Sequence, residues 1–488
     1  MTLDTGVARI PVGKLQTWNL ILEDAQGTPV RDAHVVVGGG MRAHGHGLPT
    51  QPEVSTSMRA GHYQLEGLQF SMTGEWTLAL SIDSATGRDR ILFEFRLENP
   101  SRDIRLSEMA IDSQWQPPAS PSNRVANDPN AAALGNRLFI DPLLSGDGTL
   151  SCASCHDPGL FFTDGAKLGQ GSGRAMRNTP SLIGASAQSW FYWDGRRDSL
   201  WAQALLPFEA VEEMNASRLA VVRHVLTDPE YRREYEAVFG PPPDIPFDTL
   251  PDRAGPIGDT ASKAAWATLD RREQSLINAV FANLGKSIAA YERTLPAPDS
   301  PFDRYVAGRA TSHHSAHHGQ RETTLSASAL RGLELFLNEE RTHCLRCHNG
   351  DWFSNQGFHN IGTGNFFGDR LDFGRVYGLQ AAIRDEFNCL GPFSDADPDE
   401  CAGHRFLSTH SHVPLEGAFK VPTLRNLTHT APYMHDGRFS TLREVIEYYR
   451  NPPEGGPPHE LKPLDISDDE ADDLVAFLES LSGDLAQP

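Results

Sequence analysis

The pattern Cys-x-x-Cys-His occurs twice in this chain, as Cys152-Ala-Ser-Cys155-His156 and Cys344-Leu-Arg-Cys347-His348. No other feature constrains the fold as tightly. Two cysteines three positions apart, followed directly by a histidine, form the attachment signal for c-type haem. The thiols add to the vinyl groups and the imidazole ligates the iron. With 6 Cys and 19 His in 488 residues, a chance match is expected ~0.003 times per chain, so a pair is not accidental. Two Cys-x-x-Cys pairs could instead converge on one zinc ion. The separation of 192 residues between Cys152 and Cys344, and the histidine that follows each pair, argue against that use. Cys152, Cys155 and His156 are therefore expected to hold one haem c, and Cys344, Cys347 and His348 a second.

A chain of this length exceeds a single core, so two to four domains are expected. Residues 14–107 read as alternating strands, among them Trp18-Asn-Leu-Ile-Leu, His34-Val-Val-Val and Trp76-Thr-Leu-Ala-Leu-Ser-Ile. Short strands with Gly-rich turns predict an all-β sandwich of immunoglobulin type over residues 1–112. The Pro/Ser/Asn stretch Gln116-Pro-Pro-Ala-Ser-Pro-Ser-Asn123 marks a linker, taken as 113–127. From about residue 128 the pattern turns helical. Two mainly α, cytochrome c-like haem domains are expected, at 128–324 and 325–488. Leu269, Leu276, Ile277, Val280, Phe281, Leu284, Ile288 and Ala289 predict an amphipathic helix from Thr268 to Arg293. A second helix, Leu325 to Leu337, leads towards Cys344. Between the halves His313, His314, His317 and His318 could bind a metal, but their Ser/Gly-rich surroundings read as a solvated loop.

The net charge of −21 comes without a basic stripe, which disfavours nucleic acid as a partner. No apolar run approaches the ~18 residues of a membrane helix. The start, Met1-Thr-Leu-Asp-Thr, lacks a charged region followed by an apolar core. Covalent haem requires attachment beyond the bacterial inner membrane, so a periplasmic protein with its leader removed or replaced is expected. In that oxidising compartment Cys389 and Cys401, in an Asp/Pro/Gly-rich loop, are expected to close a short disulfide ring.

Several long passages are ordered around the haem motifs. They are Leu134-Gly-Asn-Arg-Leu-Phe-Ile-Asp-Pro142, Leu144-Ser-Gly-Asp-Gly-Thr, Phe162-Thr-Asp-Gly165, Arg177-Asn-Thr-Pro-Ser181 and Trp193-Asp-Gly-Arg196. Further on come Phe419-Lys-Val-Pro-Thr-Leu-Arg-Asn426 and Ala431-Pro-Tyr-Met-His-Asp-Gly437. Over residues 128–482 the chain resembles the bacterial dihaem cytochrome c peroxidase and MauG family. The resemblance implies that peroxide reacts at the N-terminal haem, with His156 proximal. No histidine occurs between His156 and His224. Where relatives carry a displaceable ligand in a Gly-His-Gly turn, the matching turn here is Gly169-Gln170-Gly171. Gln is a poor iron ligand, so this haem is expected to rest five-coordinate, with Met176 or Met214 as alternative sixth ligands. Peroxide cleavage needs a base beside a polar orienting group. By resemblance these are Glu213 and Gln203, with Glu212 the neighbouring alternative, and Pro207 shapes access.

The resemblance also distinguishes the second haem. Where peroxidases of the family place a distal Met, fourteen residues after the His of Pro-Tyr-x-His-Asp-Gly, counting from His435 arrives at Tyr449. A tyrosine there resembles the MauG branch, in which a phenolate stabilises high-valent iron. Tyr448 and Met434 remain alternatives, with Tyr449 favoured because helix periodicity fixes which aromatic faces the haem. Trp193 matches the tryptophan through which the two irons share electrons. The MauG branch also carries a Trp two residues before its second haem motif; here that position is Thr342. A calcium ion between the haem domains is implied, on Asn178, Thr430 and Pro432. The β-domain is similar to YtkA/FixH-like domains through Ala43-His-Gly-His-Gly-Leu-Pro-Thr-Gln-Pro52, where His44 and His46, with Met41 or Met72, could make a copper site or a packing turn.

Together these imply a dihaem peroxidase. It would react with hydrogen peroxide at an open haem and store two oxidising equivalents over both haems in a bis-Fe(IV)-like state, to oxidise a redox donor (cytochrome c or cupredoxin) or a protein substrate. The alternatives are a cytochrome c peroxidase reducing peroxide with such a donor, and a non-enzymatic dihaem electron carrier.

Overall fold

The computed structural model describes residues 1–488 except 8, 42–45, 113, 313–324, 365, 368–369, 409–414, 455–457 and 486–488. The first hundred residues form eight strands: β1 (Thr2–Asp4), β2 (Gln16–Ile21), β3 (His34–Met41), β4 (His46–Gly47), β5 (Glu53–Thr56), β6 (His62–Leu68), β7 (Gly74–Ser84) and β8 (Gly87–Leu97). They pair antiparallel in two four-stranded sheets, ordered β1-β2-β6-β5 and β4-β3-β7-β8. Alternation in β2 buries Trp18 and Leu20, and in β7 it buries Trp76, Leu78 and Leu80. Side chains on one face of each sheet thus fill the space between them. Trp18 stacks on Phe70 at 5.5 Å, and Phe70 meets Trp76 edge-on at 5.1 Å. The expected sandwich is present.

The rest is helical: α1 (Arg102–Met109), α2 (Pro129–Ile140), α3 (Leu200–Glu209), α4 (Arg218–Thr227), α5 (Pro229–Phe239), α6 (Thr260–Trp266), α7 (Arg271–Glu292) and α8 (Pro301–Ser312), followed by α9 (Ala327–Leu337), α10 (Arg375–Arg384), α11 (Ala402–Arg405), α12 (Leu442–Arg450) and α13 (Asp468–Glu479). The predicted 268–293 helix is α7. It starts at a capping box in which the Glu273 amide donates to Asp270 and the Asp270 amide to Glu273, both at 2.8 Å. Its buried face carries Ile277, Val280, Phe281, Leu284 and Ile288.

Each half is organised around one close helix crossing. α2 meets α7 at Gly135, where an added Cβ would lie 1.9 Å from the Ser287 carbonyl oxygen. α9 meets α13 at Gly332, where a Cβ would lie 1.9 Å from the Asp473 carbonyl oxygen. Only glycine allows backbones to approach this closely. In each half a one-turn helix carrying the Cys-x-x-Cys pair follows the first helix of the crossing, at Cys152–Ser154 and Cys344–Arg346.

Three sets of contacts fix these parts to each other. The Arg177 side chain, from the first half, donates to both carboxylate oxygens of Asp372 in the second, at 2.9 and 2.7 Å. Arg425 donates to Asp303 at 2.8 and 2.9 Å and to the Met109 carbonyl at 3.0 Å. This draws α1 and α8 onto the C-terminal core, where Leu106, Met109 and Phe302 pack with Phe336, Phe353 and Phe477. The sandwich rests on residues 405–407: Arg405 pairs with Glu53 and Glu66, each at 2.9 Å, and Thr50 bridges to Leu407. Behind that seat, Cys389 and Cys401 are joined in the expected disulfide.

Candidate active site

One cavity of about 1510 Å³ runs through both helical halves and reaches both Cys-x-x-Cys-His motifs. It exceeds the ~300–1,000 Å³ usual for a single small-molecule pocket. Cys155, His156, Cys344, Cys347 and His348 line it directly. The four motif cysteines are free of disulfides, so their thiols are available for thioether bonds.

The two histidines are held alike. Nδ1 of His156 donates to the Phe162 carbonyl at 2.9 Å, and Nδ1 of His348 donates to the Phe353 carbonyl at 2.9 Å. A carbonyl can only accept, so the proton sits on Nδ1 and the Nε2 lone pair is left for a metal. Burial lowers the pKa of both imidazoles, His348 to about 4. They are therefore neutral, which is the ligating form. Cavity size, free thiols and tautomer all fit two haems of c type.

At the N-terminal end, Gln203 and Pro207 come from α3, and Glu213 from the tight turn that follows it. The Glu213 amide donates to the Ala210 carbonyl at 3.0 Å, and the Glu213 carbonyl accepts the Ser172 amide at 2.7 Å. The Gly169–Gly171 turn is thereby fastened under this loop, and Gln170 lines the cavity with Glu213, Gln203 and Pro207. Glu212 is exposed, whereas Glu213 is half-buried. Burial raises the Glu213 carboxyl's pKa; the Arg196 guanidinium opposes that shift and Glu212 adds to it. Tyr192 donates to the Gln203 carbonyl at 3.0 Å, under an Arg196 guanidinium 3.5 Å from its ring centre. Met176 lines the large cavity, whereas Met214 is buried and borders a separate small pocket by Cys152.

At the C-terminal end, Tyr449 of α12 lines the cavity together with Cys344, Cys347 and His348. Tyr448 points elsewhere: its hydroxyl donates to the Ile361 carbonyl at 3.0 Å and its ring meets Phe439 at 5.3 Å. Burial first, then the neighbouring thiols of Cys347 and Cys344, push the Tyr449 phenol far above its usual range. Met434 also borders the cavity. Thr342, two residues before the motif, donates its hydroxyl to the Leu335 carbonyl at 2.7 Å, so it closes the end of α9.

Trp193 lies at the junction. Its indole donates to the Asn178 carbonyl at 3.0 Å, its own carbonyl accepts the Lys420 amide at 2.8 Å, and its ring is 6.5 Å from that of His435. His435 in turn stacks on Phe419 at 3.6 Å. Asn178 is buried, and its side-chain amide donates to the Ala166 carbonyl at 3.0 Å. Its side-chain oxygen is the end with acceptor capacity for a cation. Thr430 and Pro432 border the same cavity. His44, the side chain of His46, and the cluster His313, His314, His317 and His318 lie outside the described residues.

Two buried groups escaped the sequence reading. Lys420, inside the Phe419–Asn426 passage, is buried with its ammonium donating to the Gln188 side chain and, at 2.9 Å, to the Trp190 carbonyl. Burial lowers its pKa to about 7. Glu292, at the end of α7, is buried beside Cys152. The sequence signal for it is its place on the buried face of a helix whose apolar spacing is plain, where a lone acid needs a reason to be there.

Comparison with known proteins agrees with this geometry. The family described as di-haem cytochrome c peroxidase matches residues 129–311, a YtkA-like domain matches 7–81, and a cytochrome c domain matches 400–482. The methylamine utilization protein MauG of Methylorubrum extorquens is 32% identical over 383 residues, covering 77% of this chain and 86% of that protein. Cytochrome-c peroxidase IdrP1 of Denitromonas iodatirespirans is 32% identical over 392 residues, covering 77% and 89%. A crystal structure of a MauG-like protein associated with microbial copper homeostasis superposes with a TM-score of 0.50 at 26% identity, covering 77% of this chain and 96% of that one. The fold and the paired motifs thus define a dihaem c-type peroxidase, a haem oxidoreductase preceded by a YtkA-like domain. The chain belongs to the dihaem cytochrome c peroxidase family that includes MauG.

Proposed function

We propose that this chain is a MauG-like member of its family. It uses hydrogen peroxide at the N-terminal haem and holds two oxidising equivalents across both haems, to oxidise a donor such as a small cytochrome c or cupredoxin, or a residue of a partner protein. The observation that carries this reading is the inequality of the cavity's two ends. A carboxyl and an amide, Glu213 and Gln203, line the end near His156, and a phenol, Tyr449, lines the end near His348.

Bound haem supplies the redox-active iron; the chain supplies the proton handling, orientation and ligands. Glu213 accepts the first peroxide proton and returns it to the leaving oxygen, a role worth ~10²–10⁴ in rate for a well-placed group. Arg196 favours the anionic carboxylate needed for the first of these steps, against the effect of burial. Gln203 orients peroxide by hydrogen bonding, and Pro207 narrows the entrance. Tyr449, which lines the cavity with Cys344, Cys347 and His348, would supply a phenol ligand to a haem held at the C-terminal motif, and the charge of a ferric ion would offset the burial that otherwise keeps the phenol protonated. Trp193, fixed between Asn178 and the Phe419–Lys420 strand, is the route for charge between the two sites. Asn178 with the carbonyls of Thr430 and Pro432 would hold calcium beside it. Among the described residues no helix is long and apolar enough to cross a membrane, in keeping with the periplasmic location that covalent haem requires. The working domain division is 1–112, 113–127, 128–324 and 325–488, with α1 and α8, at the ends of the first and third segments, packed on the core of the last.

The test is to mix hydrogen peroxide with the diferric holoprotein, without any reductant, in a stopped-flow spectrometer. The proposal expects both haems to change absorbance in one fast phase and to hold two equivalents, titratable with a one-electron donor. Silence until one haem is reduced would assign a reductively activated cytochrome c peroxidase instead.

A further inference from the structure

Outside the large cavity, two indoles stand in line between the second Cys-x-x-Cys-His motif and the surface. Trp352 follows His348 by four positions and is 4% exposed. It is bonded directly to Phe353, whose carbonyl accepts the His348 Nδ1 proton at 2.9 Å. Its ring is seated against the first half at Gly184, where an added Cβ would lie 2.0 Å from a ring carbon. Trp115, from the segment that follows α1, meets the Trp352 ring edge-on, with centroids 5.3 Å apart and planes at 68°. That spacing lies within the ~4.5–7 Å of a favourable aromatic pair. Trp115 is half-buried and so reaches solvent.

The polar surroundings of the two rings differ. The Trp115 indole donates to the Asp351 carboxylate at 3.2 Å. The Trp352 indole nitrogen is buried without a hydrogen-bond partner among the described residues, and the Arg425 guanidinium, paired with Asp303, stands 5.9 Å from its ring centre. Positive charge left by the loss of one electron is therefore stabilised at Trp115, beside an anion, and not at Trp352. An oxidation that starts inside the C-terminal half is drawn outwards.

We propose that Trp352 and Trp115 are an electron relay between a haem held at the C-terminal motif and an external one-electron donor at the surface. The inference deepens the proposed function and rests on peroxide oxidising the holoprotein. For each electron delivered, Trp352 gives one electron inwards and regains it from Trp115, and Trp115 regains it from the donor, which is oxidised by one electron. No bond between heavy atoms forms or breaks. The Trp115 indole proton passes to the Asp351 carboxylate as the ring is oxidised and returns as the ring is reduced. Two such passages, with two protons from solvent, supply what one hydrogen peroxide needs to become two waters.

The test mixes the diferric holoprotein with hydrogen peroxide and withholds the donor, so that the relay residues themselves stay oxidised. Freeze-quench electron paramagnetic resonance of wild type is expected to contain a tryptophan radical, and peptide mass mapping after its decay to find Trp115 oxygenated. Trp352→Phe is expected to lose both, while the haem absorbance still changes on mixing. With reduced cytochrome c then added as donor, re-reduction is expected to slow by about tenfold in Trp115→Phe and in Trp352→Phe. A wild type whose haem absorbance changes but which has no tryptophan radical and an unmodified Trp115 overturns the relay. So does Trp115 oxygenation that persists in Trp352→Phe, the mark of direct attack from solution, or re-reduction at the wild-type rate in both variants. If peroxide changes neither haem, the peroxide reading itself has failed, and the relay with it. The wild-type measurements decide even where a variant does not fold.

Discussion

The two halves that carry the Cys-x-x-Cys-His motifs are built on one plan and differ in what lines the cavity beyond each motif. In both, a helix pair crosses at a glycine, a one-turn helix presents two thiols, and a histidine gives its Nδ1 proton to a carbonyl at 2.9 Å. This shared frame is the apparatus of haem attachment. Beyond it the N-terminal half adds Glu213 and Gln203, a carboxyl and an amide suited to moving a proton and orienting peroxide. The C-terminal half adds Tyr449, a group suited to staying bound to an oxidised metal. The proximal geometry is common to both halves, and on the proposed reading the distal side chains divide the labour between them.

The strongest way to break that division is to exchange what the distal residues do. Glu213→Gln should slow the peroxide reaction by ~10²–10⁴ with the C-terminal haem spectrum unaltered. Tyr449→Met should leave peroxide cleavage competent and shorten the life of the two-equivalent state by tens-fold or more, as followed by decay in the near infrared. Equal losses in both variants would mean that the sites do not divide the work.

An intermediate effect concerns stability against pH. Folded Glu292 keeps its proton up to about pH 8, whereas the unfolded chain releases it near the ordinary 4.5. Between those values the folded state binds more protons, so stability falls as pH rises from about 4.5 to about 8, then levels off. Chemical denaturation of Glu292→Gln should lack that decline, and an unaltered slope would count against a buried neutral acid. Smaller still are the crossings. Gly135→Ala and Gly332→Ala should each cost at least ~1–3 kcal/mol, because the backbones must separate. Each should lower retention of its own haem more than the other's, measured by haem content after mild denaturation.

The frame was far more legible in the sequence than the sites. The Cys-x-x-Cys-His spacing is local chemistry and needs no tertiary information. The α7 pattern and the alternation in β2 and β7 follow from period alone. Helix periodicity lets only one of Tyr448 and Tyr449 face the cavity; Tyr449 lines it, while the Tyr448 hydroxyl donates to the Ile361 carbonyl. What sequence could not supply were meetings of distant segments. Asn178 under Trp193, Arg177 gripping Asp372, and Glu292 converging with Glu213 on one small cavity each depend on helices that pack only once the core forms. Glu292 is the plain case, since in the sequence it is one acid at the end of an amphipathic helix.

The measurement that bears most directly on the account is low-temperature electron paramagnetic resonance of the resting diferric holoprotein, wild type beside Tyr449→Phe and Tyr448→Phe. One high-spin and one low-spin haem are predicted in wild type, with the low-spin signal altered by Tyr449→Phe and untouched by Tyr448→Phe. Two low-spin haems, or a low-spin signal indifferent to Tyr449→Phe, would contradict it.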